Sequence, residues 1–161
     1  MNIFKHFLLL SLIFLVVFTG LLLAGDSQGA FNVNKSGVVL DGYDLVAYFT
    51  QYEALKGSVK YEASYQNVKF WFASNENRET FLANPGNYLP QYGGFCAFAV
   101  GKKNAKVPSN PQTFKLYDGK LYLFFNSEYE GKQMNTIIPW SKNEKEMKKL
   151  ADTNWKELEN K

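Results

Sequence analysis

Cys96 is the only cysteine in the 161-residue sequence, and it closely follows the paired glycines Gly93 and Gly94. A thiol can act as a nucleophile, bind a soft metal or be oxidised, and nearby glycines let another group approach closely. The alternative is a buried cysteine that acts as a small apolar core residue. The sequence therefore makes Cys96 the first candidate site residue and leaves open whether its role is chemical or structural.

Few partners are available for this thiol. The single histidine, His6, lies in a segment that looks like a targeting signal, and no histidine or second cysteine follows. Ser-His and Cys-His dyads, imidazole metal sites, intramolecular disulfides and Cys-x-x-Cys redox chemistry are thereby excluded from the rest of the chain. Two kinds of site remain: a binding site around Cys96, or a single-cysteine redox centre that an external thiol restores.

The N-terminal segment predicts export. Lys5 and His6 precede residues 7–24, an unbroken run of apolar and small side chains, which is typical of a secretory signal. The run is nearly as long as the roughly 20 apolar residues that cross a bilayer. Residues 1–25 are therefore predicted to be a signal peptide, with an N-terminal anchor as the alternative. The predicted location is periplasmic or extracellular, with membrane contact only through residues 7–24 if they stay uncleaved.

The remaining chain has the size of one ordinary domain. Residues 26–37 are mostly small and polar and predict a flexible lead-in, and residues 38–161 predict the folded domain. The sequence has 18 basic and 15 acidic side chains, a formal net charge of +3, and its lysines are scattered among glutamates. Because no basic patch stands out, we expect no nucleic-acid partner.

Two β-hairpins are the clearest local predictions. Asp118-Gly119 suits a type I′ turn, and Gln66-Asn67 also separates two strand-like runs. Alternation in the first hairpin places Phe70 and Phe72 on one face and Trp71 on the other. The predicted strands are 59–65 and 68–73, then 113–117 and 120–125.

Helices are predicted from capping residues and apolar spacing. Ser74 is the expected N-cap of a helix that buries Phe81 and Leu82. A Ser127-x-x-Glu130 pattern predicts a short helix through Met134, and a Ser141-x-x-Glu144 pattern predicts a capping box for the last helix. The run 45–49 is either a strand or a helical turn. The apolar stripe of the last helix is Met147, Leu150, Ala151, Trp155 and Leu158.

The fold class follows from the mixture of these elements. Strands and helices occur without a regular βαβ alternation, which favours an α+β protein. We expect a small antiparallel sheet built from the two hairpins, with helices packed on it and the C-terminal helix docked through Trp155.

Several motifs are too long for a chance match. They are Gly42–Phe49 (GYDLVAYF), Tyr65–Ser74 with Asn77, Arg78 and Phe81, Asn84-Pro85, and Tyr88–Ala97 (YLPQYGGFCA). Together they resemble the YHS domain in its exported single-domain form. The resemblance covers roughly residues 38–155 and implies a YHS-like domain over residues 38–161. The broader YHS group, which includes parts of copper-transporting ATPases, is suspected of metal binding, so copper is the implied metal.

The sequence departs from the metal-binding YHS type at three positions. Where cysteine ligands are expected from the resemblance, Ala47, Ala73 and Asn77 stand instead. Soft Cu(I) requires thiolate or thioether donors. The exported part offers only Cys96, Met134 and Met147, and both methionines suit packing. Asp41 and Asp44 are the alternative ligands for a hard ion. A further alternative is a metal site shared at a dimer interface, with Cys96 contributed by each chain.

The sequence therefore predicts an exported YHS-like binding or interaction module, and it favours a binding protein over an enzyme. The expected partner is a metal ion, with copper as the candidate, or a small ligand. The alternative function is a single-cysteine thiol redox protein, with Cys96 as its centre. Candidate binding residues are Cys96, Gly93, Gly94, Tyr92 and Tyr43, with Cys96 also the candidate metal ligand.

Overall fold

Residues 29–161, the part that the computed structural model describes, form three β-hairpins and six α-helices and thus belong to the α+β class. The predicted signal or anchor, residues 1–25 with the apolar run 7–24, lies outside the described residues, as does His6. No helix within 29–161 has the length and apolar character that a bilayer crossing requires.

Each hairpin makes its own antiparallel two-stranded sheet. The strands are β1 (Ser58–Tyr65) and β2 (Val68–Phe72), β3 (Asn110–Tyr117) and β4 (Lys120–Phe124), and β5 (Asn126–Tyr129) and β6 (Lys132–Asn135). The helices are α1 (Leu45–Thr50), α2 (Asn75–Ala83), α3 (Pro85–Tyr88), α4 (Ala97–Lys103), α5 (Ile137–Lys142) and α6 (Glu144–Leu158).

Both predicted hairpins are confirmed. The turns fall at Gln66-Asn67 and Asp118-Gly119, and all four residues have positive φ, as a type I′ turn requires. In β2, Phe70 and Phe72 are buried while Trp71 is half-buried on the other face. The local dipeptide thus decides the turn, and the alternation decides which face enters the core.

The helix predicted from Ser127 through Met134 is wrong, because this segment forms the third hairpin, β5–β6. Glu130 and Gly131 have φ of 52° and 74° and connect the two strands as a two-residue turn. A glycine in such a turn adopts positive φ without steric cost. The turn chemistry therefore overrides the Ser-x-x-Glu pattern.

The run 45–49 is helical, and the buried carboxylate of Asp44 explains why. Its Oδ1 accepts hydrogen bonds from the backbone N–H of Val46 and Ala47, at 2.9 and 3.2 Å. Its Oδ2 accepts from the N–H of Ala73 and from Asn77 Nδ2, at 2.8 and 2.7 Å. Asp44 therefore caps α1 and fastens it to the start of α2, so its oxygens are already occupied.

Two details of the helix predictions need correction. Ser141 lies inside α5, and α6 begins at Glu144 without a side-chain cap, so no Ser141 capping box forms. Leu150 is 41% exposed, as is Leu82 in α2, because the buried face of each helix is narrower than predicted. Ser74 does cap α2 through the N–H of Asn77. The residues of α6 that are buried are Met147, Ala151 and Leu158, with Trp155 half-buried against the same cluster.

Residues 29–37 differ from the flexible lead-in that was predicted. Phe31 is only 6% exposed, and its ring meets Phe70 edge to face with centroids 5.9 Å apart. The N–H of Asn32 donates to the carbonyl of Gly93 at 2.9 Å. The buried ring of Phe31 and the backbone hydrogen bond of Asn32 hold the segment on the domain. The sequence did not predict this because most of the segment's residues are small and polar. Residues 26–28 lie outside the described part.

Strand β4 divides the core into two clusters. Leu121 and Leu123 pack with α1, α2 and the first hairpin. Tyr122 and Phe124 point the other way, into a cluster with α4, α5 and α6. All four residues are buried, so the two-residue period of a strand builds both clusters from one sequence.

Candidate functional site

The segment from Tyr92 to Cys96 holds four of the predicted site residues, and the structure separates them. Tyr92, Gly93 and Gly94 have φ of 54°, 59° and 84°, so the chain turns sharply before α4. Cys96 lines one pocket, whereas Tyr92 and Gly93 line another. The residues predicted to share one site therefore lie at two separate pockets, which we call the thiol pocket, at Cys96, and the tyrosine pocket, at Tyr92.

The two glycines serve packing of the chain on itself. A Cβ at Gly93 would lie 1.8 Å from the carbonyl oxygen of Ala30, and one at Gly94 would lie 2.8 Å from a methyl carbon of Leu40. The Gly94 carbonyl also accepts from Ser109 Oγ at 2.7 Å. These close approaches explain the glycines without any ligand at the thiol.

The thiol pocket has a volume of about 210 Å³ and lies between α4 and the β5–β6 hairpin. Cys96 precedes α4 and is fully buried. Its backbone is fixed by an N–H bond to the Val107 carbonyl at 2.8 Å. Most of the wall is apolar, and its other lining residues are Phe98, Ala99, Lys103, Phe125, Tyr129, Met134 and Thr136.

A sulfur–hydroxyl contact marks the inner end of this pocket. Cys96 Sγ lies 3.2 Å from Thr136 Oγ1, which also lies 3.0 Å from the carbonyl oxygen of Phe125. A hydroxyl has one proton to donate. When Thr136 donates it to Phe125, the Cys96 S–H donates to Thr136, an arrangement that suits the neutral thiol. The Phe125 carbonyl oxygen also accepts a hydrogen bond from the Thr136 N–H at 2.9 Å. The Thr136 hydroxyl is therefore able to donate its proton to the sulfur while the Phe125 carbonyl keeps a hydrogen bond.

The donor set for a metal is small. Within residues 29–161, no three His, Cys, Asp or Glu side chains form a group that could hold a metal ion. The sulfur atoms at the thiol pocket belong to Cys96 and Met134, while Met147 is in the second core cluster. Cu(I) accepts such soft donors. The lining of this pocket therefore offers a soft metal one thiol and one thioether, fewer than the three or four protein ligands of a closed site.

The lysines that follow Cys96 do not surround the sulfur. Lys103 lines the thiol pocket, with its Nζ 5.9 Å from the ring centroid of Tyr129. Lys106 lies by Phe95 and Trp155, each ring centroid 5.8 Å from its Nζ. Burial, with a smaller contribution from Lys161, lowers the pKa of Lys106. Lys103 is thus the one basic side chain found among the lining residues in the described part of the chain.

The tyrosine pocket has a volume of about 300 Å³ and is lined by polar and aromatic groups. Tyr92 Oη donates to Asp152 Oδ1 at 2.8 Å, and Lys148 Nζ donates to Asp152 Oδ2 at 2.7 Å. Burial and the bond to Asp152 raise the pKa of Tyr92. The bond to Asp152 is also the main cause that raises the pKa of Lys148. Tyr92 therefore acts as a neutral hydrogen-bond donor that fastens α6 to the turn.

Tyr43 lines neither pocket and packs on the first core cluster. The centroid of its ring lies 4.5 Å from Lys56 Nζ. The backbones of Tyr43 and Lys56 also form an isolated β-bridge. The structure therefore does not bring Tyr43 into a pocket with Cys96.

Sequence reasoning missed the residues that complete each pocket. Thr136 reaches Cys96 from 40 positions away, and Asp152 reaches Tyr92 from 60 positions away. A hairpin turn at Glu130-Gly131 was the available signal for the first pair, because it folds β6 back along β5. No local pattern indicated the second pair.

Residues 29–161 thus form a small α+β fold in which the segment from Tyr92 to Cys96 contributes residues to both the thiol pocket and the tyrosine pocket. No protein-family model, curated protein or solved structure was found to match the chain.

Proposed function

We propose that the protein is an exported binding module of the YHS type, and that its ligand is a small apolar molecule held in the thiol pocket. The observation that carries the proposal is the wall of this pocket, which places aromatic and aliphatic side chains around a few polar groups, among them Cys96, Thr136 and Lys103. Pockets that combine apolar walls with few polar groups are typical of small-ligand sites. Export is proposed from Lys5 and the apolar run 7–24.

The size of the pocket selects the ligand class. An apolar cavity of about 150 Å³ holds benzene, so the larger thiol pocket, about 210 Å³, suits a molecule with one or two fused rings. Tyr129 and Met134 are half-exposed at its edge, which leaves a path for such a molecule to enter.

Copper and redox chemistry are the competing uses of Cys96. The pocket offers two sulfur donors to copper, fewer than a closed site of three or four protein ligands. An oxidant must reach sulfur, but Cys96 has no exposed surface and contacts Thr136, and reactive cysteines are usually accessible. A small apolar ligand fits the pocket better than either.

Indole is a suitable probe for the test, with binding measured by NMR titration of the labelled protein. Met134→Glu places a charge at the pocket wall and should weaken indole binding about tenfold, because bound indole would cover that carboxylate and remove water from it without offering it a hydrogen bond in return. Leu150→Glu is the matched control. Leu150 is 41% exposed and lies outside the pocket, whereas Met134 is 42% exposed within it. Indole affinity should therefore be unchanged in Leu150→Glu.

Four outcomes would contradict the proposal. Indole that fails to saturate the protein, or that is weakened equally by both substitutions, would reject the thiol pocket as an apolar site. Copper that survives dialysis in the wild type and is lost in Cys96→Ser would replace the apolar ligand with a metal. Rapid peroxide oxidation of Cys96 in the folded protein would favour the redox function instead.

A further inference from the structure

We propose that the tyrosine pocket is a second binding site and that its ligand is a small organic cation, an amine or a quaternary ammonium compound. The proposal is independent of the thiol pocket, which shares no lining residue with it. The supporting observations are the residues that α6 presents, the charge of the lining and the cation that already lies at one of its rings.

Helix α6 and its C-cap residue, Glu159, present an aromatic ring between two carboxylates. Asp152, Trp155 and Glu159 all line the pocket, and their spacing of three and four residues puts them on one face of the helix. Tryptophan is the best aromatic partner for a cation, and a carboxylate beside the ring adds a direct charge attraction.

The charge of the lining also favours a cation. Among the lining residues in the described part of the chain, two are acidic and none is basic, although the whole sequence carries a net charge of +3. Two positive charges lie beside the pocket without lining it: Lys148, which is bonded to Asp152, and Lys106, which is bonded to the Gly29 carbonyl. Glu159 is exposed and forms no ion pair with any of residues 29–161. An incoming cation therefore finds one carboxylate shared with Lys148 and another without such a partner.

Lys106 shows that the indole ring of Trp155 accepts a neighbouring ammonium group. Its Nζ lies 5.8 Å from the Trp155 ring centroid and donates to the carbonyl oxygen of Gly29 at 2.6 Å. Lys106 does not line the pocket. The lining also includes Gln66 and Gln91, whose amide oxygens are able to accept N–H bonds from an amine.

The test compares choline with 3,3-dimethylbutan-1-ol, a neutral molecule of nearly the same shape. NMR titration of the full chain follows the indole N–H signal of Trp155. This signal is assigned from its absence in Trp155→Phe. If that variant does not fold, Trp71→Phe and Trp140→Phe assign the other two indole signals and leave the third for Trp155. Choline should shift the signal saturably and bind about tenfold more tightly than the neutral analogue, because only choline gains the cation–π attraction.

Glu159→Gln and Glu157→Gln are matched substitutions of two exposed glutamates at the C-terminal end of α6, Glu157 in its last turn and Glu159 at its C-cap. Glu159→Gln should weaken choline binding about threefold, the effect of removing one exposed charge partner, and Glu157, which does not line the pocket, should have no effect. Equal affinity for the neutral analogue, equal weakening by both substitutions, or no saturable shift would overturn the proposal. Indole binding at the thiol pocket should be the same in both variants, so failure of one site is distinguishable from failure of the other.

Discussion

The thiol pocket and the tyrosine pocket begin in the same short segment but are built from different interactions. The thiol pocket rests on apolar packing and one sulfur–hydroxyl contact between Cys96 and Thr136. The tyrosine pocket contains a continuous polar chain from Tyr92 through Asp152 to Lys148. Neighbouring residues of the sequence thus enter different chemical environments, because three successive positive φ angles redirect the chain.

This difference determines what each pocket is sensitive to. The tyrosine pocket depends on the close approach of residues 29–32 to Gly93, and on hydrogen bonds that need particular protonation states. The thiol pocket depends mainly on the packing of the apolar side chains in its wall. Substitutions in the backbone turn and changes of pH should therefore affect the first more than the second.

The largest expected effect comes from Gly93→Ala. The added Cβ would lie 1.8 Å from the Ala30 carbonyl oxygen, at a residue with φ of +59°. Segment 29–32 would have to move away from the turn, and we expect a loss of about 3 kcal/mol or more in the free energy of unfolding, from the steric clash together with backbone strain.

Gly86→Ala is the matched control for this measurement. Gly86 lies in α3, and its added Cβ would have no heavy atom within 4 Å, so the variant should be neutral or slightly stabilised. Urea denaturation of both proteins gives the comparison. Similar stabilities for the two variants would show that residues 29–32 do not pack on Gly93.

The local parts of this fold were predictable, and the distant contacts were not. The turns at Gln66-Asn67 and Asp118-Gly119 are encoded by the dipeptides themselves. Ser74 indicates the start of α2 because its side chain caps that helix. The lead-in was misjudged because its fixing contacts, from Phe31 to Phe70 and from Asn32 to Gly93, join residues far apart in sequence.

The candidate site shows the same limit more sharply. Cys96 was found from its type, but its neighbour Thr136 follows the segment from Ser127 through Met134, which was predicted as helix and instead forms the β5–β6 hairpin. Grouping Tyr92 with Cys96 assumed that sequence neighbours share a site. The backbone turn that separates them requires φ values which Gly93 and Gly94 permit but do not dictate.

The next largest effect is a loss of stability at alkaline pH. Burial is the main cause that raises the pKa of both Tyr92 and Tyr48, with the Asp152 bond adding to the effect at Tyr92. Above about pH 10 the unfolded chain releases these protons while the folded protein keeps them, so the free energy of unfolding falls by up to about 1.4 kcal/mol per pH unit for each tyrosine. Urea titrations at increasing pH measure this slope.

Tyr92→Phe sharpens that result. Burial raises the pKa of Tyr122 as well. Because the variant lacks only Tyr92, its slope should be less steep by the contribution of that one tyrosine. Tyr48, which donates to the Pro111 carbonyl and lies in the first core cluster, keeps its contribution. An unchanged slope in Tyr92→Phe would mean that the Tyr92 hydroxyl is not protected in the folded protein.

The smallest expected effects distinguish two buried tyrosines of the same cluster at neutral pH. Tyr92 and Tyr122 have ring centroids 5.9 Å apart, but Tyr92 donates to Asp152, whereas the buried Tyr122 hydroxyl has no hydrogen-bond partner among the described residues. Removing a paired buried hydroxyl costs about 1–2 kcal/mol, while removing an unpaired one relieves a desolvation penalty. We therefore expect Tyr92→Phe to be destabilised and Tyr122→Phe to be neutral or more stable in urea denaturation. Indole affinity should be unchanged in both variants, since neither tyrosine lines the thiol pocket. Equal destabilisation of the two variants would show that the polar chain from Tyr92 through Asp152 does not distinguish the tyrosine pocket from the thiol pocket.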